Sequence, residues 1–289
     1  MPQPETIVIT RTYNRSGFLN RAAESLTAQT YREFGWVIVN DGGDPAPVDA
    51  VAASLPSWLA CEVLHLSENA GMEAAGNRGM ETGLARSAYY VALHDDDDRW
   101  APDFLAEMVR RFAEDPDVSG VVCGWQEVRE LASGDGWMTE SETAPFDPGP
   151  LTLSRFAVRN RFPPIAFMFR RSAWETAGGF REDMPVLGDW DFNLRLLARG
   201  DFAKVNRVLA YQHVRVAAEG AASNSVVASH ELHKAMRARL INRYIRQDLE
   251  SGKTGLGQLL AQADILDDGL ARTSLKARMR RLFGKSGHS

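Results

Sequence analysis

Four consecutive aspartates, Asp95 to Asp98, follow directly on the apolar run YYVALH that begins at Tyr89. Carboxylates crowded into one pocket repel each other, and they either take up protons or recruit a cation. A hard divalent ion resolves the conflict: Mg2+ or Mn2+ prefers oxygen ligands and commonly bridges one or two carboxylates to substrate phosphates. A chain that holds such an ion can bind a diphosphate despite its own negative charge. A blander reading competes, in which the cluster is a solvated acidic turn and Asp98 or Asp103 is the N-cap of a helix through PDFLAEMVRRF. A calcium loop of the EF-hand type fails on position, because the sixth residue counted from Asp95 is Trp100, where glycine is needed.

Such a cluster works only if the fold gathers it. Five runs rich in branched or aromatic residues read as strands: TIVIT from Thr6, GWVIVN from Gly35, CEVLHL from Cys61, YYVALH from Tyr89 and VSGVVCGW from Val118. Between them lie segments with helical spacing, such as Phe18, Leu19, Ala22, Ala23 and Leu26, or Phe104, Leu105, Met108, Val109 and Phe112. Strand alternating with helix predicts a mostly parallel central sheet flanked by helices. In such a sheet ligands bind beyond the carboxyl ends of the strands. Three features fall at such ends, in TRTYNR, in VNDGGD and in the aspartate run, so Tyr13, Asp41 and Asp95 to Asp98 are expected to converge on one crevice.

The second half changes character. From Glu130 to Asn160 the chain carries Gly134, Gly136, Pro145, Pro148, Gly149 and Pro150 with little periodicity and is expected to be loop. IAFMFRR from Ile165 and AKVNRVLAYQH from Ala203 read as strands, and Asp189 to Arg199 as a helix. Leu232, Met236, Leu240, Ile241, Tyr244, Ile245 and Leu249 predict a long amphipathic helix over Ser229 to Glu250.

Composition narrows the function classes. With 33 Lys and Arg against 38 Asp and Glu, the formal charge of −5 gives no global reason to expect nucleic acid. Two cysteines, Cys61 and Cys123, are too few for a disulfide scaffold or a zinc cluster and are expected to be reduced core residues. The start MPQPETIVIT lacks a basic region before a long apolar stretch, and no run approaches the roughly 20 apolar residues of a membrane span. A cytoplasmic protein, soluble or peripheral at the inner face of the membrane, is therefore expected.

Taken in order, TIVITRTYNRSGFLNRAAESLTAQTYREFGWVIVNDGG, ENAGMEAAGNRGM, YYVALHDDDDRWAPDFL and FMFRRSAWETAGGFREDMPVLGDWDFNLRL resemble a family 2 glycosyltransferase with the GT-A (Rossmann-like) fold, over about Ile7 to His213. The resemblance implies a glycosyltransferase domain over 1–215, with a nucleotide-binding part (1–128) and an acceptor and catalytic part (129–215), followed by a helical C-terminal extension (216–289). It also implies a nucleoside pocket with Thr12, Tyr13 and Asp41, where Tyr13 stacks on the base and Asp41 accepts a base N–H. The family's D-x-D motif matches Asp95-Asp96-Asp97. This makes Asp97 the expected principal ligand of a divalent cation, Mg2+ or Mn2+, and Asp95 the ribose-side or more distant metal partner. Asp96 lies between them, and Asp98 is expected to begin the next helix. The family's general base lies in an acidic motif before a long helix. Here the motif reads LGDWDFNLRL, with Gly188 where glutamate is usual, so Asp189 matches the base and Asp191 is held in reserve. Helix capping is the competing role for Asp189. Where many relatives carry Ala-Arg-Asn, this chain has Ala75-Gly76-Asn77, which leaves Arg78 or Arg11 to supply the cation near the nucleotide. His94 is read as a core or lid residue, and His213 as a weaker candidate for the metal or diphosphate.

The chemistry implied is transfer of a sugar from a nucleotide-sugar donor to a hydroxyl of a glycan, a lipid-linked acceptor or a protein, with inversion, in cell-surface polysaccharide or glycoconjugate synthesis. The cation stabilises the departing nucleoside diphosphate, and the base removes the acceptor's proton. Two other classes compete. A nucleotide-sugar binding module without catalysis draws on Gly76 and Gly188. A nucleotidyltransferase is disfavoured because TRTYNRSG is not a glycine-rich basic loop suited to a triphosphate. The basic tail LKARMRRLFGKSGHS from Leu275 offers a peripheral membrane contact, against the alternative of a solvated helix end.

Overall fold

The computed structural model describes residues 4–133, 136–215 and 230–266. The segment 216–229 and the basic tail from Leu275 therefore lie outside the described residues. Among the described residues nine strands form one sheet: β1 (Thr6–Thr12), β2 (Phe34–Asn40), β3 (Ala60–His65), β4 (Tyr90–Leu93), β5 (Arg99–Trp100), β6 (Gly120–Ser133), β7 (Gly136–Glu142), β8 (Phe167–Arg170) and β9 (Phe202–Arg215). Their order is β3-β2-β1-β4-β8-β6-β9-β5, with β7 paired to the far part of β6. The pairs β3-β2, β2-β1, β1-β4 and β6-β9 are parallel, and β8 runs antiparallel to both β4 and β6. Six strands therefore point the same way, and their carboxyl ends share one edge.

The sequence explains this arrangement. β2 is buried along its whole length and β1 nearly so, as expected for parallel strands covered on both faces. Register levels the ends: Thr12 pairs with Asn40, and Asn40 with His65. β4 stops earlier, at Leu93 opposite Ile9, and the His94 N–H donates to Ile9 O. The aspartates thus turn across the end of β1 instead of continuing beside it.

Helices over Ser16–Thr27, Pro45–Ala53, Met72–Met80 and Phe104–Glu114 cover the sheet. The long helix His230–Ser251 buries Met236, Leu240, Ile241 and Tyr244 in the same core, while Leu232 and Leu249 of the expected apolar stripe face solvent. Full burial of each such side chain contributes about 2 kcal/mol. Both cysteines are free, Cys61 in β3 and Cys123 in β6.

The expected loop over 130–160 is corrected. β6 continues to Ser133, β7 turns back along it, and a short helix spans Leu153–Val158. β7 escaped notice because it is an edge strand, GWMTESE, exposed at nearly every position, so it has no alternating apolar pattern to reveal it. Asp98 is corrected as well, whereas Asp103 does hold the N-cap position. β5 intervenes between Asp98 and the helix, and Asp103 precedes Phe104 without a side-chain capping bond, paired instead with Arg207 at 2.7 Å.

Candidate active site at the carboxyl ends of the strands

The four aspartates are each held by polar partners, and Asp96 and Asp97 share Arg15. Arg11 at the end of β1 donates from Nη2 to Asp95 Oδ1 at 2.7 Å. Thr12 Oγ1 donates to Asp96 Oδ2 at 2.8 Å, and Arg15 Nη1 to Asp96 Oδ1 at 3.2 Å. Asp97 Oδ2 is bound by Arg215 and lies 3.6 Å from Arg15 Nη1. Asp98 accepts the backbone N–H of His213 at 2.7 Å. Burial, and then the neighbouring Asp97 charge, push the Asp96 carboxyl up to about 7 and hold that of Asp98 well above its ordinary value.

β6 and β9 deliver the second half of this network, because their parallel register sets Glu130 opposite Arg215 and Val128 opposite His213. Glu130 is bound by both guanidinium nitrogens of Arg21, at 2.8 and 3.1 Å, and by His213 Nδ1 at 2.9 Å. Desolvation alone would raise the Glu130 carboxyl, but the bonds from His213 and Arg21 prevail and bring it down to about 2. Arg99 Nε donates to His213 Nε2 at 3.1 Å, so the imidazole proton sits on Nδ1 and points to Glu130. The Arg215 guanidinium, fully buried, packs over the Phe18 ring at 4.3 Å and faces Trp137 of β7 at 5.7 Å.

This arrangement does not fit a divalent cation as it stands. Among the described residues no group of three or more His, Cys, Asp or Glu side chains is placed to hold a metal. The expected ligands Asp97, Asp95 and His213 are not assembled. Arg215 and Arg15 occupy Asp97, Arg11 occupies Asp95, and both ring nitrogens of His213 are engaged. Arginine supplies the counter-charge that the sequence suggested a metal would supply.

On the side where the nucleoside was expected, Tyr13 stands 43% exposed. The Asp41 carboxylate is nearly buried and accepts the N–H groups of Ala70 (2.7 Å) and Gly71 (3.0 Å), closing the loop after β3. Arg78 lies away from the aspartates, 3.6 Å from Glu182 and 3.9 Å from Glu81, so the cation in the crevice is Arg11. A Cβ at position 76 would stand 3.3 Å from the Phe180 ring and 3.8 Å from the Arg11 stem. Glycine there lets both approach. His94 is buried: its Nδ1–H donates to the Asp95 carbonyl, its Nε2 accepts from Ser25 Oγ, and its ring meets Trp100 edge-on at 4.5 Å. Desolvation lowers it to about 4, a neutral core histidine.

Across the crevice the helix Gly188–Leu197 begins after Leu187, whose φ of 66° is a strained value for a bulky residue. Asp189 in its first turn accepts the Trp190 N–H at 2.8 Å and Asn160 Nδ2 at 2.7 Å. Burial raises its carboxyl, while the Trp190 N–H and the Arg11 charge oppose that shift. Asp191 points the other way. It is fully buried, 2.8 Å from Arg195 Nε, 3.3 Å from Arg181 Nη1 and 2.8 Å from the Tyr244 hydroxyl, and ties this helix to His230–Ser251. The reserve base is thus a structural anchor.

The sequence reading missed Glu73, Arg15, Arg21, Glu130 and Arg215. Glu73 lies in the first turn of the helix that follows β3. An acid at that place, beyond a parallel strand, was the available signal.

The model for the family described as Glycosyl transferase family 2 matches residues 7–176. The PGL/p-HBAD biosynthesis glycosyltransferase of Mycobacterium bovis (strain BCG / Pasteur 1173P2) is 27% identical over 230 residues, covering 78% of this chain and 82% of the relative. Among solved structures, S. aureus TarS 1–349 in complex with UDP aligns with a TM-score of 0.63 at 18% identity over 90% of this chain. The chain spans 65–70% of the length of that TarS fragment. The mannosyltransferase PcManGT of Pyrobaculum calidifontis, in complex with GDP-Man and Mn2+, aligns with a TM-score of 0.56 at 18% identity, over 96% of this chain and 81% of that one. The likeness to the two structures establishes a shared GT-A fold.

Proposed function

Because the chain belongs to glycosyl transferase family 2, we propose that it moves a sugar from a nucleoside-diphosphate donor to an acceptor hydroxyl with inversion, in the assembly of a glycoconjugate or cell-surface polysaccharide. The observation that carries this reading is Asp189, a half-buried carboxyl at the start of a helix, close enough to the Arg11–Asp95 pair to feel both charges. Residues 1–128 hold the nucleotide side, 129–215 the catalytic side, and 216–289 extend the domain. Tyr13 stacks on the base, and Thr12, Asp41 and the Arg11–Asp95 pair line the pocket.

Breaking the anomeric C–O bond leaves negative charge on the departing diphosphate. Arg15 and Arg21, with side chains 21% and 19% exposed, reach toward solvent and meet that charge. Asp189 takes the proton of the acceptor hydroxyl, which attacks from the opposite face of the sugar and inverts the anomeric centre. Asn160 and the Trp190 N–H orient the carboxylate for this step. A Mn2+ or Mg2+ ion on Asp97 requires that Arg215 leave it.

The test is Asp189→Asn. It is expected to retain donor affinity by isothermal titration and to lose transfer by about 10²- to 10⁴-fold, the usual contribution of a general base. Transfer at the wild-type rate would remove Asp189 from the mechanism.

A further inference from the structure

The space beside Asp189 that a side chain at position 188 would fill is already taken. A Cβ built on Gly188 would stand 2.1 Å from Glu73 Oε1, 2.5 Å from its Cγ and 2.6 Å from its Cδ, and its three nearest neighbours are all atoms of that one carboxyl arm. The Gly188 backbone itself lies outside the left-handed region, so it does not demand glycine. Glu73 is what excludes a side chain there.

Glu73 reaches this place from the opposite wall. It sits in the first turn of Met72–Met80, and Asn77 clamps that helix to the segment before Gly188: its Nδ2 donates to Phe180 O and its Oδ1 accepts the Phe180 N–H, both at 2.8 Å. The side chain is nearly buried, yet among the described residues it enters no ion pair. Its electrostatic neighbours are Arg11, Asp189 and Asp95, the groups that line the crevice. Burial raises the carboxyl to about 7, so near neutrality it can donate a hydrogen bond as the acid or accept one as the carboxylate. A buried carboxyl without an ion-pair partner, set beside Arg11, Asp95 and Asp189, is suited to the hydroxyl groups of a sugar.

Resting on the glycosyltransferase reading, we propose that Glu73 is a second carboxyl of the active site, delivered beside Asp189 through the space left by Gly188, and that it hydrogen-bonds a sugar hydroxyl of the donor or of the acceptor.

The experiment compares Glu73→Gln, Glu73→Ala, Gly188→Glu and the exchange variant Glu73→Ala/Gly188→Glu, using UDP-GlcNAc and GDP-mannose as donors. Glu73→Gln is expected to weaken its target by about 10- to 100-fold, the worth of one charge-assisted hydrogen bond. A donor contact shows as lost affinity for the nucleotide sugar with unchanged affinity for UDP or GDP. An acceptor contact shows as a raised acceptor KM with donor affinity intact. Gly188→Glu crowds two carboxyls into one space and loses activity, and the exchange variant recovers it to within about threefold of wild type because one carboxyl again fills that space. Glu73→Gln within about twofold of wild type in donor affinity, acceptor KM and turnover overturns the proposal. So does an exchange variant no better than the poorer single variant. Should Gly188→Glu fail to fold, Glu73→Gln alone decides. Asp189→Asn is the control: full activity there sinks the underlying reading, whereas an inactive Asp189→Asn beside unaffected Glu73 variants sinks this inference alone.

Discussion

Replacing Asp191 by asparagine is expected to reduce stability while leaving the chemistry of each folded molecule intact. The Asp191 carboxylate is fully buried and answers two guanidinium groups, Arg195 at 2.8 Å and Arg181 at 3.3 Å, as well as the Tyr244 hydroxyl at 2.8 Å. Asparagine keeps the shape but removes the charge, so Arg195, with a side chain only 7% exposed, is left short of its partner. Breaking a buried ion pair costs about 3–5 kcal/mol. Arg181 is 22% exposed and recovers some solvation, and asparagine retains one acceptor oxygen, so about 3 kcal/mol is the expected loss. At about 2–4 °C per kcal/mol for a domain of this size, the thermal midpoint falls by about 6–12 °C. The assay is thermal unfolding by circular dichroism, with transfer measured on the folded fraction at 20 °C. Asp189→Asn, two residues away, is the mirror case: its carboxyl is already penalised by burial, so the midpoint holds while transfer falls. An Asp191→Asn protein with an unchanged midpoint and lost transfer would refute this division of labour.

Three further outcomes are expected. Burial raises Glu73 from 4.5 to about 7, so the folded state binds the extra proton between those values and its contribution falls as pH rises through that window. Glu73→Gln should therefore raise the unfolding free energy from urea titration at pH 8, by on the order of 3 kcal/mol at most, and leave it unchanged near pH 4. Glu130 is held at about 2, so its contribution is complete above 4.5 and is lost as pH falls toward 2. Urea midpoints of Glu130→Gln and wild type should accordingly converge in acid and diverge at pH 7. Arg215→Met keeps an apolar stem over Phe18 and leaves Asp97 only the more distant Arg15, so isothermal titration should give tighter Mn2+ binding than wild type. Equal affinity would mean that the guanidinium does not hold the cation's place.

The crevice was legible in the sequence because parallel strands end level, and a burst of like charge after an apolar run marks such an end. Asp95 to Asp98, Tyr13 and Asp41 were placed at the strand ends that way, and there the structure has them. Partner choice was not legible. That Asp97 is answered by Arg215 depends on the register of two 14-residue strands, β6 and β9, and on two irregularities near Cys123–Trp125 that no local pattern announces. Glu130 was hidden because the strand carrying it runs on into a polar, exposed hairpin. Asp189 and Asp191 look equivalent as letters, and only the helix phase separates them, turning one to the crevice and the other to Arg195 and Tyr244. Gly188 read as a missing charge, whereas in three dimensions the charge beside it comes from Glu73.

The most direct test of the central claim is release of nucleoside diphosphate from a panel of nucleotide sugars, including UDP-glucose, UDP-GlcNAc and GDP-mannose, with and without Mn2+ and with the Asp189→Asn protein alongside. The account predicts turnover of at least one donor by the wild type and its loss in Asp189→Asn at unchanged donor affinity. No turnover of any donor, or equal turnover by the two proteins, would contradict it.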